Sequence, residues 1–419
     1  MARHLSACLL LVGVVAGLVA GCGGPDESLL GNEDVPTQRA DEQAIMDQQA
    51  QAVADHSLVN FMASVDRTDK AFVARERRLF RNLSQLPLEK FGYTVLDRTW
   101  PDTLVDPAWG KNVRLPEVLV TTQLEGFDQR PVQQVTGFAF AEKDDSLLLV
   151  SDRTRTGDVF PGSHPAPWDL TKIHVKSSYD VLAIFDDAMW PKAQQISDAV
   201  QQGIWDDDSV LPFTWSDRVV VYAVDNKAVL GSFDAVPGGD INHVGALTFP
   251  VYSDVDRRVP AGTRFIVLPS SVNAGEPFMG ETIRHEISHV AIGTRDDGDP
   301  RWVSEGIAEY LGAHPLSRNL RRIPTIALGR AQQGATSMPD SQTFNGPDAE
   351  WNYALSWMAI DYIAATQGES KIWALMDALH NGGSGTTDAN QDTAVRRVLG
   401  FDTHELARRA AARIVQLYG

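Results

Sequence analysis

Cysteine is nearly absent from this chain: its 419 residues hold two, Cys8 and Cys22. A disulfide framework is thereby excluded, so stability must come from core burial or bound metal. Cations are also scarce, with 37 Lys and Arg against 55 Asp and Glu and a net charge of −18 with histidine neutral. That deficit excludes a basic nucleic-acid groove and electrostatic adhesion to anionic lipid. Internal repeats and low-complexity tracts are missing, which excludes a solenoid array. The apolar run at the N-terminus, Leu5 to Ala20, is short for a bilayer span of roughly 20 residues. The apolar fraction, 43%, is that of a globular protein, and the length exceeds the usual single domain, so two cores are expected.

The N-terminus reads "MARHLSACLLLVGVVAGLVAGCGG": a basic start at Arg3, the apolar run, then small residues. Residues 1–21 have the form of a secretory signal peptide. Val19, Ala20 and Gly21 before Cys22 resemble the lipobox of bacterial lipoproteins. That resemblance implies cleavage before Cys22, a diacylglyceryl group on its thiol, and an extracytoplasmic protein lipid-anchored to the cell membrane. An uncleaved anchor with an incidental cysteine is the alternative. Cleavage would remove Cys8 and one cation, leaving a mature chain of charge −19 with a single, lipidated cysteine.

Residues 22–40 are rich in Gly, Pro and acids without apolar periodicity, as in a flexible tether. From Asp41 the spacing is helical, and "KAFVARERRLFRNLSQL" sets Phe72, Val73, Leu79 and Phe80 on one side. After Pro87 the pattern changes to strands separated by turn signals such as "KDDS". Helices followed by antiparallel strands predict an α+β domain over residues 41–155. Its element order and the "F-x-A-R-x-R-R-L-F-x-N-L" segment resemble the NTF2-like cone fold. No catalytic set converges in it, and a packing or spacer role is the plain alternative. The loop "VFPGSHPAPWDL" follows, and then mixed strands, a helix bearing "GETIRHEISHVAIG", and a helical remainder, over residues 170–419.

An H-E-x-x-H string arises by accident in roughly one chain of this composition in a hundred, so its placement matters. At about 100° per residue, Ile283, Ile287, Val290 and Ala291 form one apolar stripe. His285 and His289 lie roughly opposite it, as two ligands of one ion require. A metzincin would have Gly and His three and six residues after the second histidine; Ile292 and Arg295 stand there and exclude that class. Asp296, Asp297 and Asp299 follow too closely to fold back onto the site and read as a solvated loop. In "PRWVSEGIAEYLG", Pro300 opens a second helix whose stripe is Val303, Ile307, Tyr310 and Leu311. Glu305 and Glu309 face away from that stripe, so two short helices can pack on their apolar faces and aim polar pairs at one cleft.

The order of elements, H-E-x-x-H and the "W-x-x-E-G-x-A-E" string resemble gluzincin metallopeptidases, in particular lipoproteins with a peptidase-MA-like domain. The resemblance implies a mixed sheet, an active-site helix and a helical C-terminal part. It also implies one Zn²⁺ per chain, held by His285, His289 and Glu305. Glu286 would be the general base and Glu309 the acid that orients a zinc histidine, as in thermolysin-like enzymes. Gluzincins commonly add a Tyr or His oxyanion donor from the helical tail, for which Tyr353 is the candidate, with Tyr310 in the core and His314 and His380 unsupported. By the same analogy, "TRFIVLPSSV" would be the edge strand that receives an extended peptide or protein substrate. The "G-x-M-E-N" string of aminopeptidases is missing, which favours an endopeptidase. A surface binding or chaperone-like module with a non-catalytic zinc, and a hydrolase acting on another acyl substrate, are the competing readings.

Overall fold

The computed structural model describes residues 34–231, 245–380 and 388–419; the signal segment, the lipobox and Cys22 lie outside them. The first helix, Asp34–Ala54, starts seven residues before the periodic pattern does and takes in the last part of the stretch read as a tether. Pro36 stands in its first turn, where a missing N–H removes no helical bond. Asp69 caps the helix Lys70–Leu83 by accepting the Ala71 N–H, and that helix buries Phe72, Phe80 and Leu83.

Six strands follow: β1 (Leu88–Thr99), β2 (Lys111–Arg114), β3 (Pro116–Leu124), β4 (Val132–Gly137), β5 (Ala139–Lys143) and β6 (Ser146–Ser151). They pair antiparallel in two three-stranded sheets, β1-β3-β4 and β2-β5-β6. The β5–β6 hairpin turns at "KDDS", where Asp144 and Asp145 take φ of 50° and 60°. Such a turn needs left-handed residues, which Asp tolerates.

The second half contributes β7 (Ile173–Ser177), β8 (Val181–Asp186), β9 (Val219–Ala223), β10 (Ala246–Asp254) and β11 (Val259–Val267) in one mixed sheet of order β10-β11-β9-β8-β7. The β8–β9 and β9–β11 pairs are parallel and the two outer pairs antiparallel. Every residue of β8 and β9 is buried, as unbroken apolar strands are when both faces are covered. One face, with Leu182, Ile184, Val220 and Ile266, packs against N-terminal residues such as Met46, Phe61 and Val118. The other face, with Ala183, Phe185, Val221 and Phe265, carries the helices Ala193–Asp208 and Phe278–Ile292. Buried packing therefore continues across the loop near residues 155–170, where Trp168 sets its ring edge-on to Tyr222 at 6.1 Å. The C-terminal helices enclose a third core around Trp302, Phe344, Leu355 and Leu406.

The fold is thus mixed α+β with several sheets. One expectation is corrected: "TRFIVLPSSV" is no edge. Its strand, β11, is hydrogen-bonded to β10 on one side and β9 on the other, because the hairpin lays β10 outside it. The edge strand on this side is β10, with β7 at the opposite edge, and Pro250 within β10 is a residue that edge strands tolerate because one side of the backbone needs no ladder donor. Among the described residues no helix is long and apolar enough to cross a membrane.

Candidate metal centre

The helix Phe278–Ile292 is seated by Ile283, Ile287 and Ala291, all at most 2% exposed, with Val290 half-buried beside them. Gly203 on the helix Ala193–Asp208 permits this close seating, since a Cβ there would come 2.6 Å from the Ile287 Cδ1. Gly293 ends the helix in left-handed conformation at φ 59°. The partner helix, Arg301–Ala313, starts after Pro300 and buries Val303, Ile307, Tyr310 and Leu311. Two glycines let it sit between its neighbours. A Cβ on Gly306 would be 2.7 Å from the Ser356 carbonyl oxygen, and one on Gly312 would be 2.8 Å from the Glu281 carbonyl oxygen and 3.5 Å from the His285 Cβ.

This packing brings together three side chains from two helices. His285 Nε2 lies 3.3 Å from His289 Nε2 and 3.4 Å from Glu305 Oε2, and His289 Nε2 lies 3.5 Å from the same oxygen. The set forms a possible metal-binding triad. The fit can be tested by geometry: ligands at 2.0–2.1 Å around a tetrahedral ion stand about 3.3–3.4 Å apart. The three edges match that length. Behind the triad, His285 Nδ1 is 3.3 Å from Glu309 Oε1, a contact that fixes the ring and turns the Nε2 lone pair toward the centre.

The electrostatics agree. Burial disfavours charge on both histidines, yet Glu305 and Glu309 hold the His285 pKa well above the ordinary value, and Glu305 raises that of His289. Burial would raise the Glu305 carboxyl, but the two imidazoles hold it far below the usual range. All three shifts arise from the pairing of these carboxylates with the imidazoles. A divalent cation at the same point would take the place of the imidazole protons and leave both rings as neutral ligands.

Glu286 is 6% exposed and outside the triad; its Oε2 accepts a hydrogen bond from the Thr248 hydroxyl on β10, which also reaches the Glu286 carbonyl oxygen at 3.3 Å. Tyr353, on the helix Ala349–Gln367, packs edge-on to Phe344 at 5.0 Å and sits 6.4 Å from the His285 ring. Burial first, then the carboxylates of Glu305, Glu309 and Glu286, push its hydroxyl well above the ordinary tyrosine value, so it is held protonated. All six predicted residues border one cleft of 1940 Å³, walled by β10, β4 and both motif helices.

Tyr310 is in the core, with its hydroxyl donating to Glu369 at 2.7 Å; His314 approaches the same carboxylate, and His380 Nδ1 contacts the Asp297 carbonyl oxygen, so neither histidine joins the triad. The acidic loop departs from expectation. Asp297 is exposed, but Asp296 is half-buried and Asp299 only 9% exposed, with burial and the carboxylates of Asp296, Asp377 and Asp297 raising the latter's pKa to about 8. The helix Ser370–His380 packs against this loop, with His380 on the Asp297 carbonyl oxygen and Asp377 near Asp299, which spacing alone does not reveal. Thr248 also escapes sequence reading, since nothing in a strand marks one threonine as a carboxylate's partner. No protein-family model matches the chain, and no curated protein aligns with it.

Proposed function

We propose that this chain is a zinc-dependent peptide hydrolase of gluzincin type, acting as an endopeptidase on an extended peptide or protein. The observation that carries the reading is a three-donor set of tetrahedral edge length beside a buried carboxylate that is not one of the donors. A structural zinc site has four closed ligands, whereas three protein donors leave a position open. The cleft also exceeds the roughly 300–1000 Å³ of small-molecule pockets, which favours a polymeric substrate. In this reading an NTF2-like unit at about residues 41–155 precedes a peptidase unit at about 170–419, supported by the order of helices and strands. The N-terminal sequence supports export and a lipid anchor on Cys22.

Zinc held by His285, His289 and Glu305 would supply Lewis acidity, activating a water and polarising the scissile carbonyl. Glu286 takes the proton of the attacking water and delivers it to the leaving amine; the water oxygen bonds to the carbonyl carbon as the C–N bond breaks. Its hydrogen bond from Thr248 fixes the carboxylate's orientation and ties it to β10. The outer edge of β10 offers backbone donors and acceptors to an extended chain. Tyr353, kept protonated by burial and its acidic neighbours, donates to the oxygen on which negative charge develops.

The test is Glu286→Gln. Zinc content and melting temperature are expected to stay as in the wild type, while cleavage of a mixed peptide library falls by about 10²- to 10⁴-fold. A wild type that retains one zinc per chain yet cleaves nothing, with or without chelator, would replace this reading by that of a binding module.

A further inference from the structure

Arg284 stands next to the first histidine and is buried at 7% exposure, an unusual place for a guanidinium. Its Nε donates to the Gly312 carbonyl oxygen at 2.8 Å, and its Nη1 lies 3.5 Å from Asp206 Oδ2. Its Nη2 is sealed from solvent without a hydrogen-bond partner. Asp207, on the neighbouring helix, is 1% exposed, and both its carboxylate oxygens are likewise sealed and unpartnered. Burial raises the Asp207 carboxyl well above the usual range, against the pull of the Arg284 charge, the strongest of the charges acting on it. Two glycines make room for the group: a Cβ on Gly280 would lie 3.1 Å from Arg284 Nη1, and one on Gly203 would lie 3.3 Å from its Cγ. One guanidinium thus joins the helix Ala193–Asp208, the helix of the histidines and the helix of the glutamates.

The anchored carbonyl belongs to the same stripe as the site. Glu305, Glu309 and Gly312 are spaced i, i+4, i+7 and share one helix face. Glu305 and Glu309 meet His285 through its Nε2 and its Nδ1, and a Cβ on Gly312 would lie 3.5 Å from the His285 Cβ. A change in helix separation at Gly312 therefore alters the distance at which Glu305 completes the triad. We infer that Arg284, held between the Gly312 carbonyl and Asp206, is a positioning residue that sets the spacing of the two motif helices and so the affinity of the site for its metal. This rests on the metal-site reading above.

The experiment measures zinc affinity of the full chain by competition with a chromophoric chelator, alongside melting of the metal-free protein. Arg284→Met is expected to bind zinc about 10- to 100-fold more weakly, the usual cost of removing a group that orients a ligand. Arg284→Lys, with a single donor nitrogen and no fork, should fall between. The discriminating variant is Arg284→Met with Asp207→Leu. Replacing both buried polar groups by apolar ones leaves no unpartnered donor or acceptor between the helices and restores melting. The Gly312 anchor stays lost, so affinity should remain low. Ile283→Val, which loosens the same helix from its apolar side, should melt lower at unchanged affinity. The inference is overturned alone if the double variant binds zinc like the wild type, or if Ile283→Val weakens binding as much as Arg284→Met. A wild type that binds no zinc overturns the metal reading and this role with it.

Discussion

Tyr353→Phe separates chemistry from packing at this site. The ring makes the contacts that matter for the fold, edge-on to Phe344 at 5.0 Å and near His285 at 6.4 Å, and phenylalanine keeps both. The hydroxyl has no hydrogen-bond partner among the described residues, so its removal orphans no other buried group. The stability change should stay within about 0.5 kcal/mol, because the larger costs come from partners left unsatisfied. Zinc content should be unchanged, since Tyr353 lies outside the triad. Loss of one donor to a developing oxyanion costs about 10² to 10³ in kcat, or roughly 2.7–4 kcal/mol of barrier. KM should move by only a few-fold, because the interaction is made in the transition state. Burial, with the neighbouring carboxylates, holds the phenol protonated across the working range, so the pH–rate profile should drop uniformly and keep its shape. Steady-state kinetics on a quenched fluorescent peptide, with metal analysis of the same samples, measures all of this. A kcat within threefold of wild type, or a basic limb that vanishes with the hydroxyl, refutes the assignment.

Glu309→Ala removes the carboxylate 3.3 Å from His285 Nδ1 and should weaken zinc binding about 10- to 100-fold in chelator competition; unchanged affinity would assign Glu309 to solvent. Stability should also fall as pH rises, because burial lifts Glu42 to about 7 and Glu76 and Asp299 to about 8, so the folded chain holds protons that the unfolded chain has released. A raised carboxyl stabilises fully below its unfolded pKa and loses that contribution through the folded one. Asp299→Asn should therefore narrow the gap between melting points at about pH 5.5 and about pH 8.5, and an unchanged gap would place the buried proton elsewhere. Cys22→Ser should release the protein from membranes or block its processing in a detergent-partition assay, whereas unchanged partition would favour an uncleaved anchor.

Local pattern alone determined much of this protein. Period 3.6 around His285 and His289, and again around Glu305 and Glu309, marked the apolar stripes that seat both motif helices, because burial of one face is decided by spacing. "KDDS" marked its turn because left-handed backbone selects few residues. The edge strand was not legible: analogy placed it at "TRFIVLPSSV", whereas the order β10-β11-β9 arises from a crossover and a hairpin that no single segment encodes. Only the tertiary structure decided that Asp296 and Asp299 are covered, that Thr248 holds Glu286, and that Arg284 reaches Gly312. These are distances between segments far apart in sequence, set by how closely helices approach, and the glycines at 203, 280, 306 and 312 permit that approach without announcing what they make room for. Chemistry-bearing residues were legible because a metal restricts residue type and spacing. Their supports were not, because any residue of suitable shape and charge, from any part of the chain, can provide a hydrogen bond.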